Sequence, residues 1–382
     1  MALFIGLMSG TSLDGVDAAL VDCDTSRPPQ LLATQAVTMP DALRERLLAL
    51  CHADQASFAD LAVAEDAFCR VQAEAVSRLL EKSGTPRDAI VAIGSHGQTI
   101  EHAPYGHDLG IQNDAGPAYT WQMDNPSLLA ELTGCHVVGD FRRRDLAAGG
   151  QAAPLAPAFH DAVFRGADEW RLALNLGGFA NLTLLPPAEQ RVPVIGFDTG
   201  PANVLMDAWY GRHRGGRYDP EGAWAASGQV IDDLLESLLR EPFFHQSPPR
   251  STGREVFHLT WLERHLSGQE AKQDVQATLA ELTATSIALG IQMACELVSA
   301  PAPATLIPCG GGAHNIDLLS RLARHLPETA LVPSTDWGWP EDWLEAGAFA
   351  WLAHRRLEGL PGNLPSVTGA AGPRVLGGVY AP

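Results

Sequence analysis

The chain is short of basic residues: 26 Lys plus Arg face 45 Asp plus Glu among 382 residues, a formal charge of −19. A general nucleic-acid binder needs a basic footprint to neutralise phosphates, so that partner class is excluded. The six cysteines (Cys23, Cys51, Cys69, Cys135, Cys295, Cys309) form no C-x-x-C pair and no Cys/His set at zinc spacing, and no two of the thirteen histidines make an H-x-x-x-H pair. A structural transition-metal site is excluded on that pattern, and the thiols read as reduced, mostly buried small hydrophobes. Long apolar runs are also missing. Ala2 to Met8 has no basic flank before it and no small-residue cleavage site after it, and nothing later approaches the roughly 20 apolar residues of a membrane span. These absences point to a cytoplasmic protein with no membrane partner. Nor does Ser9, Ser12 or Ser95 sit in G-x-S-x-G, which sets aside a serine hydrolase working with His96.

What the chain does have is 46% hydrophobic and 19% charged residues, a globular composition that rules out disorder and collagen-like repeats, with length for about two or three domains. It opens as strand, Gly-rich turn, strand: Leu3 to Met8, then Ser9 to Gly15, then Val16 to Asp22. Another strand, Leu31 to Met39, precedes helices over Asp41 to His52 and Ser57 to Lys82, the second with Phe58, Leu61, Phe68, Val71, Ala75 and Leu79 at helical spacing. Ala89 to Ile93 reads as a buried strand ending in a Gly94 to Thr99 turn. Ala103 to Asp124 then loses all period, as a long surface loop does. Asn125-Pro126 starts a helix and Gly134 stops it.

The second half repeats the opening. Leu172 to Leu176, Gly177-Gly178, and Ala180 to Leu185 are again strand, Gly turn, strand. Val192 to Phe197 is a strand delivering Asp198, with a helix opening at Gly200-Pro201. A long helix near Asp274 to Val298 comes before the strand Thr305 to Pro308, which runs into Gly310-Gly311-Gly312 and a further helix. The helix Glu341 to Arg356 carries small residues at Ala346, Gly347, Ala348 and Ala350, so it can pack closely.

Glycine turns let backbone amides approach phosphates, so Gly10-Thr11-Ser12, Gly177-Gly178 and the helix start after Gly310-Gly311-Gly312 are candidate nucleotide contacts. Asp198 reads either as a catalytic base at a strand end or as the cap of the next helix. Asp14 is either a Mg²⁺ ligand or a solvated turn residue. Arg142, Arg143 and Arg144 are either an anion site or a solvated charge run with Asp140 and Asp145. His96 and Gln98 sit in a Gly-flanked turn, as ligand contacts or as structural groups. Glu345 is directed at a cleft or exposed; periodicity does not decide.

In order, the hairpin, second hairpin, strand-Asp-helix and strand-GGG-helix resemble the architecture of actin, hexokinase and the heat-shock ATPases. The expected fold is therefore α/β, two related actin-like (ribonuclease H-like) lobes with an ATP cleft between them. The expected division is 1–140 and 141–382, with the C-terminal helix able to return to the first lobe. An alternative of another class is a nucleotide-controlled binding protein of this fold with weak ATPase activity, which would form ADP without any sugar.

More specifically, the chain resembles the anhydro-N-acetylmuramic acid kinases of bacterial cell-wall recycling. The segments that carry this are Gly6 to Asp17, Gly94 to Thr99, Asp140 to Gln151, Gly196 to Asn203, Ser251 to Glu255 and Gly310 to Ala313, so it runs essentially end to end. The resemblance implies a kinase that opens 1,6-anhydro-N-acetylmuramic acid with water and phosphorylates O6, using ATP and Mg²⁺, as a homodimer. Carried over by position, Gly10, Thr11, Ser12, Leu13, Asp14, Gly15, Val16 and Asp17 would bind ATP phosphates with Gly177, Gly178, Gly310, Gly311 and Gly312. Asp198 would be the general base and Glu345 the second carboxylate near the sugar. Gln98, Thr99 and Arg143 would contact sugar, Arg143 suiting the lactyl carboxylate. The metal ligands are left unassigned, because Met8 and Ser9 stand where a hexokinase-type loop usually carries an aspartate. Two further departures are Gln122-Met123-Asp124-Asn125 where the family has Gln-Ile-Gly-Asp or Gln-Ile-Gly-Asn, after an enlarged loop near Gly106 to Ala118, and Ala202 where glycine is common.

Overall fold

Strand β1 (Leu3–Ser9) turns through Gly10 to Asp14 into β2 (Gly15–Asp24), which turns again into β3 (Arg27–Thr38). A computed structural model describes residues 2–10, 12–53, 55–106, 116–254 and 256–382. Thr11, Glu255 and most of the enlarged loop, 107–115, therefore lie outside the described residues. The chain forms two units, one of residues 1–163 with 343–382 and the other of 164–342.

The first unit is built on a seven-stranded sheet. β1 pairs antiparallel with β2, and β2 with β3, while on its other side β1 runs parallel to β4 (Ile90–Ala103). β5 (Tyr119–Met123) pairs antiparallel with β4, and β6 (Val137–Gly139) runs parallel to it. The C-terminal strand Gly378–Tyr380 closes the edge against β6. Side chains alternate across a strand. Ile5 and Leu7 therefore enter a core with Phe68, Ala75 and Leu79 of the helix Phe58–Ser83, while Gly6 faces the helix Leu344–Leu357. That helix packs on β1, β2 and β4. A Cβ on Gly6 would lie 2.5 Å from Ala350 N, and one on Gly94 would lie 2.7 Å from the Phe349 carbonyl carbon, so the small residues of the helix and the glycines of the strands are two halves of one close approach.

The second unit repeats this order with five strands. β7 (Arg171–Leu176) and β8 (Phe179–Leu185) form the hairpin, β9 (Ile195–Pro201) adds antiparallel to β8, and β10 (Thr305–Cys309) runs parallel to β7 with β11 (Ala330–Leu331) beyond it. In both sheets the first hairpin strand is the centre, with antiparallel neighbours on one side and parallel ones on the other. The internal repeat expected from the two glycine turns is thus present in topology.

Several elements differ from expectation. The division between units falls at 163/164 instead of 140/141, because Asp145 is held from the C-terminal tail: its carboxylate accepts from Asn363 Nδ2 (2.6 Å), Thr368 Oγ1 (2.8 Å) and Ala152 N (2.8 Å). Gly94 to Thr99 is the interior of the long strand β4, and Tyr119–Met123 is a strand within the segment expected to be loop. Phe58 is 91% exposed, outside the apolar face assigned to its helix. The helix Lys272–Val298 is long and apolar enough to cross a membrane by length and composition, which corrects the reading that nothing approaches that length. Thr, Ser, Gln and Glu interrupt its apolar residues, so no unbroken run marks it in the sequence. Its Val275, Leu279, Leu282, Ile287 and Ile291 are buried in the core of the second unit, against β8 and β9 among others. The local helix signals hold at Asn125, whose side chain accepts from Leu128 N (2.9 Å), and at Gly134, which ends that helix at φ 65°.

Candidate active site

In the first unit the β1–β2 turn is fixed from behind. Leu13 N donates to Gly10 O (3.2 Å) with Leu13 at φ 57°, and the Ser9 hydroxyl lies 2.7 Å from Gln98 Oε1 and 2.9 Å from Gly15 O. Gln98 is buried and its Nε2 donates to Thr99 O (3.2 Å), so this residue of β4 ties strand and turn together. Ser12 and Asp14 are exposed, while Gly15, Val16 and Asp17 continue into β2. Ser12 and Asp14 thus lie outward on a hydrogen-bonded base, as an anion-binding loop requires.

A half-buried cation, Arg142, is held against His96 of β4. Of the three arginines Arg142 alone is half-buried: its Nε and Nη2 reach His96 Nε2 at 3.0 and 2.9 Å, and its Nη1 donates to Ala152 O (2.7 Å). Burial lowers Arg142 to about 10, and the charges of Glu345 and Asp145 push it back up. His96 is held well below its ordinary value by burial and then by Arg142, so it is a neutral acceptor at Nε2. The expected turn position of His96 is corrected to the buried interior of β4. Arg143 carries an exposed side chain with Asp140 Oδ2 3.6 Å away. Glu345 is exposed on the first turn of the helix Leu344–Leu357.

Asp124 is the residue at which this chain departs from its expected motif, and it is an unusual one. Burial raises its carboxyl to about 6. Neither oxygen has a partner of full hydrogen-bond geometry, although Ser95, Gln72 and the Asn125 amide lie near enough to offset part of the shift. A carboxyl whose folded pKa exceeds its unfolded value binds more protons when folded, so stability falls as pH rises from about 4 to about 6 and stays lost above that. Asp124→Asn is therefore expected to gain up to about 2–3 kcal/mol at pH 7.5 and little at pH 4. Thermal unfolding of both proteins at the two pH values checks this; equal stability at pH 7.5 would contradict it.

In the second unit Asp198 sits inside β9 opposite Asn181, not at a strand end. Nor does it cap the following helix, Asn203–Arg214, whose N-cap is Ala202. Ala202 has φ −108°, so alanine is tolerated where glycine is common. The Asp198 carboxylate accepts from Thr252 N at 2.9 Å. Buried Arg250 lies behind it, donating from Nε to Asp198 O (3.0 Å), and is lowered to about 10 by burial against the opposing charge of Asp198.

The glycine turns of this unit converge. Gly177 O accepts from Asn203 N (3.1 Å) and Asn203 Nδ2 (2.8 Å), and Gly178 O accepts from Ala202 N and Val204 N (both 3.0 Å). A Cβ on Gly312 would lie 2.6 Å from Leu176 Cβ and 3.0 Å from Asn203 Nδ2, so the Gly310 to Gly312 loop rests on the same hairpin end. Gly178 and Gly311 face open space: an added Cβ would meet nothing within 4 Å at either. The expected helix directly after Gly310 to Gly312 is instead a 3₁₀ turn, Gly311–His314, and the α-helix Ile316–His325 begins only after Asn315, whose side chain caps Leu318 N (3.0 Å). Among the described residues no three His, Cys, Asp or Glu side chains gather as a metal cage.

The sequence profile of the family described as anhydro-N-acetylmuramic acid kinase matches residues 2–382. The chain is 66% identical over 381 residues to the anhydro-N-acetylmuramic acid kinase of Chromohalobacter salexigens, covering 100% of each chain. It is 50% identical over 382 residues to that of Pseudomonas fluorescens, covering 100% of this chain and 99% of the other. Among solved structures it is similar to a xylulose kinase from Rhodospirillum rubrum (TM-score 0.45, 13% identity, 99% of this chain and 94% of that one). It is also similar to a ROK family glucokinase from Streptomyces griseus in complex with glucose and AMPPNP (TM-score 0.41, 15% identity, 93% and 100%).

Proposed function

This chain belongs to the anhydro-N-acetylmuramic acid kinase family, and we infer that it opens 1,6-anhydro-N-acetylmuramic acid with water while transferring the ATP γ-phosphoryl group to O6. The products are N-acetylmuramic acid 6-phosphate and ADP. The observation that carries this reading is the full-length 66% identity to a kinase of that name. Nothing favours the nucleotide-controlled binding protein.

Asp198 is the general base in this reading. Its carboxylate, oriented by Thr252 N, takes a proton from water as the water oxygen bonds to the anomeric carbon. The C1–O6 bond breaks, O6 attacks the γ-phosphorus, and the bridging oxygen leaves with ADP. Because the developing charge on O6 is taken up by phosphoryl transfer, no separate glycosidic acid is obligatory. Gly10 to Asp17, Gly177, Gly178 and Gly310 to Gly312 supply backbone donors to the ATP phosphates. Asp14, exposed at the β1–β2 turn, would hold Mg²⁺ together with the ATP phosphates, and the ion would supply positive charge to the phosphoryl oxygens. Glu345 is the second carboxylate near the sugar. Thr99 and Arg143 contact the sugar, the exposed guanidinium of Arg143 suiting its lactyl carboxylate, while Gln98, expected to touch the sugar, is buried and acts from behind by holding Ser9. The protein works in the cytoplasm as a homodimer in murein recycling. The test is ADP release with Mg-ATP: one ADP per sugar consumed, and none without the anhydro sugar, is expected; sugar-independent ADP would overturn the reading.

A further inference from the structure

Among the described residues β9 is the edge of its sheet, and no strand pairs with the backbone of Asp198 on the side away from β8. Arg250 satisfies both groups itself. Asp198 N donates to Arg250 O (3.2 Å), and Arg250 Nε donates to Asp198 O (3.0 Å). Two residues on, Thr252 N meets Asp198 Oδ2 at 2.9 Å. The other end of the guanidinium is anchored: Nη1 reaches Phe243 O (3.0 Å), Phe244 O (3.1 Å) and Gln246 O (2.9 Å), and the group lies over the Phe243 and Phe197 rings at 4.8 and 5.2 Å. Arg250 is only 4% exposed. A buried cation costs folding energy unless its donors are met, and here Nε and Nη1 are met by four backbone carbonyls, one of them that of Asp198.

We propose that Arg250 is the positioning residue of the catalytic carboxylate: by clamping the free edge of β9 at Asp198 it brings the Thr252 amide onto Oδ2 and sets the direction from which the base meets water. The inference rests on Asp198 being the base. A general base has to stand within hydrogen-bond reach of its proton, and a displacement of about 1 Å can cost about 10²-fold in rate. Lysine keeps the charge but lacks the planar fork that spans Asp198 O on one side and three carbonyls on the other.

The test uses the full-length protein and three variants, Arg250→Lys, Arg250→Met and Thr252→Pro, with rates referred to the fraction that binds a non-hydrolysable ATP analogue. Arg250→Lys is expected to lose at least about tenfold in kcat and Arg250→Met about 10²-fold, with KM for the sugar and the affinity for the analogue within about twofold of the parent. The acid limb of kcat/KM should move up in pH in Arg250→Met, where the cation beside the carboxylate is gone, and stay in place in Arg250→Lys; a merely structural role would not move it. Thr252→Pro removes the amide donor while leaving Arg250 in place, so it carries the test if Arg250→Met does not fold, with a kcat loss of at least about tenfold expected. Folded Arg250→Lys with kcat within twofold of the parent, or a rise in KM with kcat unchanged, overturns the proposal. Asp198→Asn measured alongside separates the two claims: an active Asp198→Asn removes the base itself, whereas an inactive one beside fully active Arg250 and Thr252 variants removes only the positioning role.

Discussion

Asp198→Asn lowers kcat by about 10²–10⁴-fold, the range a general base contributes, while binding of an ATP analogue is spared. The asparagine is nearly isosteric, and its amide oxygen can still accept from Thr252 N. The β9 ladder and the Arg250 clamp depend on the Asp198 backbone, which the substitution leaves alone. What disappears is the ability to take a proton from water. Initial rates of sugar-dependent ADP formation, with calorimetric titration of the analogue, read the two effects apart. Activity within tenfold of the parent would remove Asp198 from its role.

Gly94→Val has the largest expected effect on folding. A Cβ at Gly94 would lie 2.7 Å from the Phe349 carbonyl carbon and 3.1 Å from Ala353 Cβ, with the Phe349 carbonyl oxygen closer still. Most of that obstruction is backbone of the helix Leu344–Leu357, which cannot swing aside as a flexible side chain can. The helix must lift off β1 and β4, and the loss belongs with the exceptional substitutions that cost more than about 4 kcal/mol. For a unit of this size that corresponds to a fall in Tm of roughly 10 °C or more, or to loss of soluble protein. Gly178→Ala is the matched control, since its added Cβ meets nothing within 4 Å and should leave Tm nearly unchanged. Thermal unfolding followed by circular dichroism decides; a Gly94→Val protein melting within 2 °C of the parent would contradict the packing described.

The contrast between those two glycines also marks what could be read from sequence. A glycine turn bracketed by apolar runs is a local signal, and both hairpins, Leu3 to Asp22 and Leu172 to Leu185, stand where that signal puts them. Asn125-Pro126 and Gly134 are equally local, and they cap their helix. Gly94 to Thr99 misleads for the same reason. Two glycines among polar residues look like a turn, whereas Gly94 is there because a helix from the far end of the chain presses on β4. Residues 343–382, which carry that helix, belong with the first 163, and so do residues 141–163, which no local signal marks.

The site divides along the same line. Asp198 stands out because glycines flank it, yet its place within β9 and its orientation depend on Arg250 and Thr252, about fifty residues on. Arg142 differs from Arg143 and Arg144 in turning inward to His96 and Ala152, which no spacing rule reveals. The three Gly-rich segments are visible in the sequence, but not that Asn203 holds Gly177 O while Gly312 packs close to Leu176 beside it, because that arrangement exists only once β7, β10 and the helix start are packed together.

Turnover in ¹⁸O-water tests the central claim most directly, because ring opening and phosphoryl transfer assign the water oxygen to different atoms. With Mg-ATP and the anhydro sugar, and with product incubated alone as the baseline for exchange at C1, the account predicts ¹⁸O at C1 of a 6-phosphorylated sugar and none in its phosphate. Label in the phosphate, or ADP formed without the sugar, would contradict it.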